Sequence, residues 1–161
     1  MSDDVAISIG NAFHFLARME EDAAPKTCAA FRGLLPWTQR IVHCRWSGEG
    51  CWIPLGAFAL GVGAENATSR PRPGELLWYS GDASETELLF PYGDVAFACG
   101  SGPLAGNHFL TIIDGVEQLA EVGKRVLYHG AQDIHFRLAR PARATMSASS
   151  SSASRVRDDH G

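Results

Sequence analysis

Two stretches, Asp22-Ala-Ala-Pro-Lys-Thr-Cys-Ala-Ala-Phe31 and Gly106-Asn-His-Phe-Leu-Thr-Ile-Ile-Asp-Gly115, decide how the rest of the chain is read. In the first, Pro25 suits the opening turn of a helix, where its missing N–H has no hydrogen bond to lose. Cys28, Phe31, Leu34 and Leu35 then fall at helical spacing until Pro36 stops the run. In the second, Asn107 to Ile113 reads as a strand and leads into a helix predicted from Asp114, a good cap residue, to about Val122. Two short helices are thus expected in a chain otherwise made of strands.

Outward from these stretches, Val5 to Ile9 and Phe13 to Met19 are strand-like runs around Gly10-Asn11, a pair that tolerates the positive φ of a tight hairpin. Arg40 to Trp46 and Cys51 to Leu55 flank a predicted turn, Ser47-Gly-Glu-Gly50. Gly56 to Pro73 is a long Gly- and Pro-rich segment, of the kind that is often functional or mobile. Glu75 to Tyr79, Glu87 to Pro91 and Val95 to Cys99 read as three more strands, and Asp133 to Arg140 as the last. From Ala144 the composition turns to Ser and Ala, too poor in apolar groups to offset the entropy of ordering. One folded domain over 1–141 and a disordered tail over 142–161 are expected.

With 14 Lys and Arg against 18 Asp and Glu, the net charge is -4, so no basic field exists to hold a phosphate backbone, and nucleic acid is not an expected partner. Met1-Ser-Asp-Asp is acidic where a secretory signal is basic, and no apolar run approaches the roughly 20 residues that span a bilayer. A cytoplasmic protein without a membrane partner is expected. Cys28, Cys44, Cys51 and Cys99 lack C-x-x-C pairing and read as buried reduced thiols, with a Cys44–Cys51 hairpin disulfide as the alternative. The histidines are scattered without ligand spacing, so no metal is expected. Gly61-Val-Gly63 lacks the strand-to-helix setting of a dinucleotide fingerprint, so no cofactor is expected either.

Several residues carry a resemblance. Asp22-Ala-Ala-Pro-Lys-Thr27 with Phe31 resembles the start of the first helix of cyclophilins. Val42-His-Cys-Arg-Trp46 resembles their Phe-His-Arg strand, Gly106-Asn-His-Phe109 their Gly-Ser-Gln-Phe, and Ile113-Asp-Gly-Val-Glu117 the opening of their last helix. Arg45-Trp-Ser-Gly-Glu49 with Ile53-Pro-Leu55, and Pro73-Gly-Glu-Leu76, are similar to the short bacterial cyclophilin-like proteins of unassigned function. The resemblance implies a mainly β fold, a cyclophilin-like closed β-barrel with about two short capping helices. It does not carry the isomerase site: Cys51-Trp-Ile-Pro54 stands in place of Met-Gln-Gly-Gly, and no loop supplies the pocket tryptophan and histidine. Peptidyl-prolyl isomerase activity is therefore the weakest of three functional readings.

The first reading is a cofactor-independent enzyme of small-molecule metabolism, similar to cyclophilin-like enzymes that condense an aromatic amino acid with an aldehyde or keto acid in a Pictet-Spengler cyclisation. That chemistry needs positioned acids and bases. Glu49 or Glu87 would be the base, with Glu85 close enough to split the carboxyl pKa values, and His108 a proton shuttle. Arg45 would anchor a carboxylate, while Trp46 and Trp52 would wall the ring site with Tyr79. On strand alternation His43 and Arg45 share one face, and His108 and Leu110 share the face opposite Phe109; the resemblance implies that this face is the cyclophilin groove, where Arg45 and His108 would meet. The second reading is a non-catalytic module that binds a small ligand or peptide. In both, the partner is a small molecule, and the apolar loop at Gly56 to Gly63 makes a homo-oligomer expected.

Overall fold

Alternation along the strands produces the architecture, because one set of side chains must leave water and the other need not. In the computed structural model, which describes residues 3–139, eleven strands form: β1 (Val5–Ile9), β2 (Phe13–Met19), β3 (Trp37–His43), β4 (Gly48–Pro54), β5 (Ala67–Thr68), β6 (Glu75–Tyr79), β7 (Glu87–Val95), β8 (Ala98–Cys99), β9 (Gly102–Pro103), β10 (Gly106–Asp114) and β11 (Gln132–Leu138). Helix α1 (Pro25–Arg32) follows β2, and a 3-10 turn (Val116–Gln118) leads into α2 (Leu119–His129). The Ser/Ala-rich segment 142–161 lies outside the described residues.

Eight strands pair antiparallel in the order β2-β1-β11-β3-β4-β7-β6-β10, and β10 returns to β2 through Leu110↔Met19 to Ile112↔Ala17. The barrel is closed and mainly β, with two short helices. The β1–β2 hairpin turns where the sequence placed it, with Gly10 at φ 56° and Asn11 at φ 57°. Inward residues such as Ile7, Phe15, Ile53, Trp78, Phe90, Phe109 and Phe136 form the interior. Helix α1 covers the mouth where β3 begins and β6 ends: Phe31 stacks edge-on to Trp37, Trp78, Phe109 and Phe136 at 4.9–6.5 Å. Helix α2 covers the opposite mouth, with Leu119 beside Gly74 and Gly123 against the Tyr92 ring.

Several boundaries differ from those predicted, each for a local reason. Strand β3 starts at Trp37 and ends at His43, so Cys44, Arg45 and Trp46 leave the strand. Strand β7 continues through Pro91 to Val95 because Pro91 faces Gly50 at a bulge, where its missing N–H breaks no ladder bond. Asp114 ends β10 instead of capping a helix; Gly115, at φ 92°, makes the turn, and α2 begins at Leu119. It runs on through Gly123 to His129, and Gly123 lets the helix approach closely, since a Cβ there would stand 2.3 Å from the Tyr92 ring. Helix α1 stops at Arg32, and Leu34 and Leu35 still pack against the core from the following turn.

The outward face of the wall is also covered on one side. Leu77 and Tyr79 of β6 and Leu89 of β7 alternate with inward neighbours and pack with Val95, Phe97 and Leu104 in a second cluster. Its cover is the excursion from Val95 to Leu104, which contains the β8–β9 hairpin. The long Gly56–Pro73 segment is pinned: buried Asn107 donates to Thr27 Oγ1 (3.1 Å) and the Gly63 carbonyl (2.9 Å) and accepts from Glu65 N–H (3.1 Å). Its Leu60 and Val62 pack against the interior cluster.

Candidate active site

Between the end of β3, the outer face of β4 and the excursion lies a cleft of about 480 Å³. The chain from Val42 to Ser47, Trp52, Ser84, Glu85, Glu87 and the segment Ala98–Gly100 line it. It is held open by backbone and side-chain bonds at both rims. Ser47 accepts from Ala98 N–H at 3.1 Å and donates to the Ala98 carbonyl at 3.2 Å, fixing the excursion to the β3–β4 connection. On the other rim Tyr79 Oη accepts from Asp82 and Ala83 N–H at 3.2 and 2.9 Å, which shapes the turn that presents Ser84 and Glu85.

Glu87 dominates the electrostatics. It opens β7 with its side chain outward, next in that row to Leu89, and is only 7% exposed. Among the described residues its carboxyl has no hydrogen-bond partner. Burial, reinforced by the neighbouring Glu85 charge, pushes its pKa up to about 8, so at neutral pH it is mostly a neutral acid. Glu85 is exposed and accepts Gly56 N–H at 2.9 Å, which keeps its charge at the rim.

His43 is fixed at both nitrogens. Nδ1 lies 2.8 Å from the Cys44 carbonyl, which can only accept, so Nδ1 carries the proton. Nε2 then accepts from the Tyr92 hydroxyl at 2.7 Å. Arg45 is exposed beside it, and Trp46, 64% exposed, lies with its ring against Gly100. Trp52 is half-buried between the outer cluster and the cleft.

Of the sequence-predicted residues, the structure gathers His43, Arg45, Trp46, Trp52 and Glu87 at one cleft, with Glu85. It sets the others apart. Glu49 points away and accepts Asp94 N–H at 3.0 Å, with its side chain over Gly93. His108 stands four strands from β3 in the sheet, and its Nε2–H donates at 2.7 Å to Thr111, whose hydroxyl donates at 2.7 Å to Glu20. Leu110 is fully buried inside the barrel, because a bulge between His108 and Leu110 turns it to the same side as Phe109. Tyr79 acts behind the cleft wall. Sequence reasoning passed over Cys44 and Cys99, which line the cleft, and Tyr92, which holds His43; all four cysteines are free.

The described residues contain no group of three or more His, Cys, Asp or Glu side chains arranged to hold a metal ion, and no helix long and apolar enough to cross a membrane. The cleft offers a buried acid, a cation and two indole surfaces, a set suited to proton transfer on an aromatic, carboxylate-bearing molecule.

No curated protein matches the chain. Solved structures share its fold, among them the following two. McbB, in a structure in complex with tryptophan, is 14% identical with a TM-score of 0.66; the match covers 86% of this chain but 45% of McbB, so the chain spans about half the length of that protein. The hypothetical protein AF2241 from Archaeoglobus fulgidus is 16% identical with a TM-score of 0.56, over 86% of this chain and 95% of its own. At such identities the likeness is one of fold, in keeping with the cyclophilin-like resemblance of the sequence. One family profile, described as "Protein of unknown function (DUF3830)", matches residues 6–138, from the first barrel strand to the end of the last, and the chain belongs to that family.

Proposed function

We propose that the protein is a cofactor-independent enzyme of small-molecule metabolism whose cleft condenses an aromatic amino acid or amine with a carbonyl compound, a Pictet-Spengler-type cyclisation. The observation that carries this reading is the Glu87 carboxyl: buried, unpartnered among the described residues and facing a cleft walled by Trp46 and Trp52 beside Arg45. The tryptophan in the McbB structure supports an aromatic amino acid as the class of ligand.

The chemistry follows from the protonation state. The amine adds to the carbonyl carbon, giving a carbinolamine. Glu87, protonated at neutral pH, gives its proton to the carbinolamine hydroxyl; the C–O bond breaks, water leaves and an iminium forms. The electron-rich ring then attacks the iminium carbon, and the Glu87 carboxylate takes the proton released as the ring regains aromaticity. Glu87 ends as it began. Arg45 would hold the substrate carboxylate and the indoles would sandwich the ring, so that the reacting carbons are near each other before bond formation.

Incubation with tryptophan or arylethylamines and a panel of aldehydes and keto acids, followed by mass spectrometry, tests the reading. The expected product has the summed mass less one water, and Glu87→Gln lowers its rate by about 100-fold. No product with any pair, or a rate unchanged by Glu87→Gln, would overturn it. Thermal stabilisation by a ligand recovered chemically unchanged would favour the non-catalytic binding module instead.

A further inference from the structure

The cleft holds one more reactive group, which the cyclisation itself does not use. Cys99 ends β8, where the hairpin to β9 turns through Gly100 and Ser101, and its side chain lines the cleft. Its Sγ lies 3.1 Å from Ser101 Oγ. The Ser101 hydroxyl first, and then backbone N–H groups of the same turn, hold this thiol below the ordinary range by hydrogen bonding to the sulfur. The other cysteines move the opposite way: burial pushes Cys28 up to about 11 and Cys51 up to about 12, and Cys44 is raised as well, by burial and then by the Glu87 charge. Only Cys99 combines a turn built around its sulfur with an opening to the cleft.

A second observation in the same cleft points to a ligand. Glu87 is more than nine-tenths buried, and its carboxyl finds no partner among the described residues. A neutral acid facing a cleft can donate to an oxygen there, and a carbonyl oxygen supplies one.

We propose that Cys99 is a nucleophile that captures the carbonyl substrate, an aldehyde or a 2-keto acid, as a reversible thiohemiacetal or its keto-acid equivalent. This rests on the reading of the cleft as a site for a carbonyl compound. The thiolate pair forms the C–S bond, the C=O π pair moves to oxygen, and that oxygen takes the proton of Glu87; no oxidant or reductant enters. Reversal breaks the C–S bond, returns the proton to Glu87 and frees the carbonyl carbon for the amine. Capture thus stores the electrophile in the cleft until the second substrate arrives, and its release restores the Glu87 proton that the condensation uses.

The test uses the full chain and acetaldehyde labelled with carbon-13 at the carbonyl, without any amine. A thiohemiacetal carbon resonance is expected for the wild type and is lost in Cys99→Ala, whose circular dichroism spectrum stays that of the wild type. Separately, iodoacetamide followed by peptide mapping should alkylate Cys99 at least about tenfold faster than Cys44 or Cys28. A wild type without the resonance, an equal resonance in Cys99→Ala, or faster alkylation of a buried cysteine would each overturn the proposal. Because no amine is present, the condensation can fail while capture stands, and capture can fail while condensation stands.

Discussion

At the scale of single residues, Glu87 links stability to pH in a direction opposite to that of most carboxylates. Its folded pKa, about 8, lies above the value of 4.5 usual for a free glutamate. Below pH 4.5 both folded and unfolded chains hold the proton and the group is neutral in its effect. Between that point and about pH 8 the unfolded chain releases the proton and the folded one keeps it, so stability falls as pH rises, then levels off. Glu87→Gln, which keeps shape and removes ionisation, should therefore be more stable than the wild type at pH 9 by of the order of several kcal/mol, with little difference at pH 4. Urea titrations at the two pH values check this; a larger gain at pH 4 than at pH 9 would reverse the assignment. The sequence made Glu87 a candidate because it precedes an apolar strand, and its place in the cleft wall follows from the same alternation that buries Leu88 and Phe90. Glu49 was equally plausible by composition. What separates them is a backbone N–H, that of Asp94, which engages Glu49 from 45 residues away.

At the scale of elements, legibility followed the length of uninterrupted periodicity. The β1–β2 hairpin could be read from Gly10-Asn11, and Pro25 marked α1, because each depends on local backbone preference alone. The bulge near Phe109, the continuation of β7 beyond Pro91 and the need for glycine at position 123 depend on what lies opposite. No local signal encodes that. The expected meeting of Arg45 and His108 failed at this scale because β10 lies four strands from β3 around the barrel, while the bulge after His108 turned Leu110 inward. The pinned Gly56–Pro73 segment shows a long-range requirement of the same kind. Asn107→Ala removes both donors and the acceptor that tie Thr27, Gly63 and Glu65 together, leaving buried groups unpaired at about 1–3 kcal/mol. Limited proteolysis should then cut within residues 56–73 at least about tenfold faster than in the wild type, tenfold being 1.4 kcal/mol, while sites in the barrel strands stay protected. Equal cleavage rates in the two proteins would show that the segment is held by its apolar side chains alone.

At the scale of the whole molecule, the interior has an aromatic centre at one mouth. Phe31 touches four aromatic rings contributed by β3, β6, β10 and β11, so it joins α1 to half of the barrel's eight strands. Phe31→Ala should cost about 3–5 kcal/mol, measured as a lowered urea midpoint, because the surrounding rings cannot collapse into the space. A loss below about 1 kcal/mol would mean that α1 is not integral to the core. The mainly β class, the closed barrel and the two helices were legible because they rest on pattern and on the resemblance of a few segments. That the wall is covered on its outer side was not, since Leu77 and Leu89 read in sequence as continuous apolar strand rather than as a second face.

The double covering of β4, β6 and β7 separates inheritance of the scaffold from inheritance of the chemistry. Changes to the excursion between Val95 and Leu104, or to the exposed Arg45 and Trp46 beyond β3, alter the cleft, while the interior that closes the ring is packed by other side chains. Free-energy effects in groups that share few partners are close to additive. A chain of this design can therefore exchange Arg45, Trp46 or Cys99 for other residues without refolding, and accumulate such exchanges one at a time, each exposed to selection for activity with its foldability already secured.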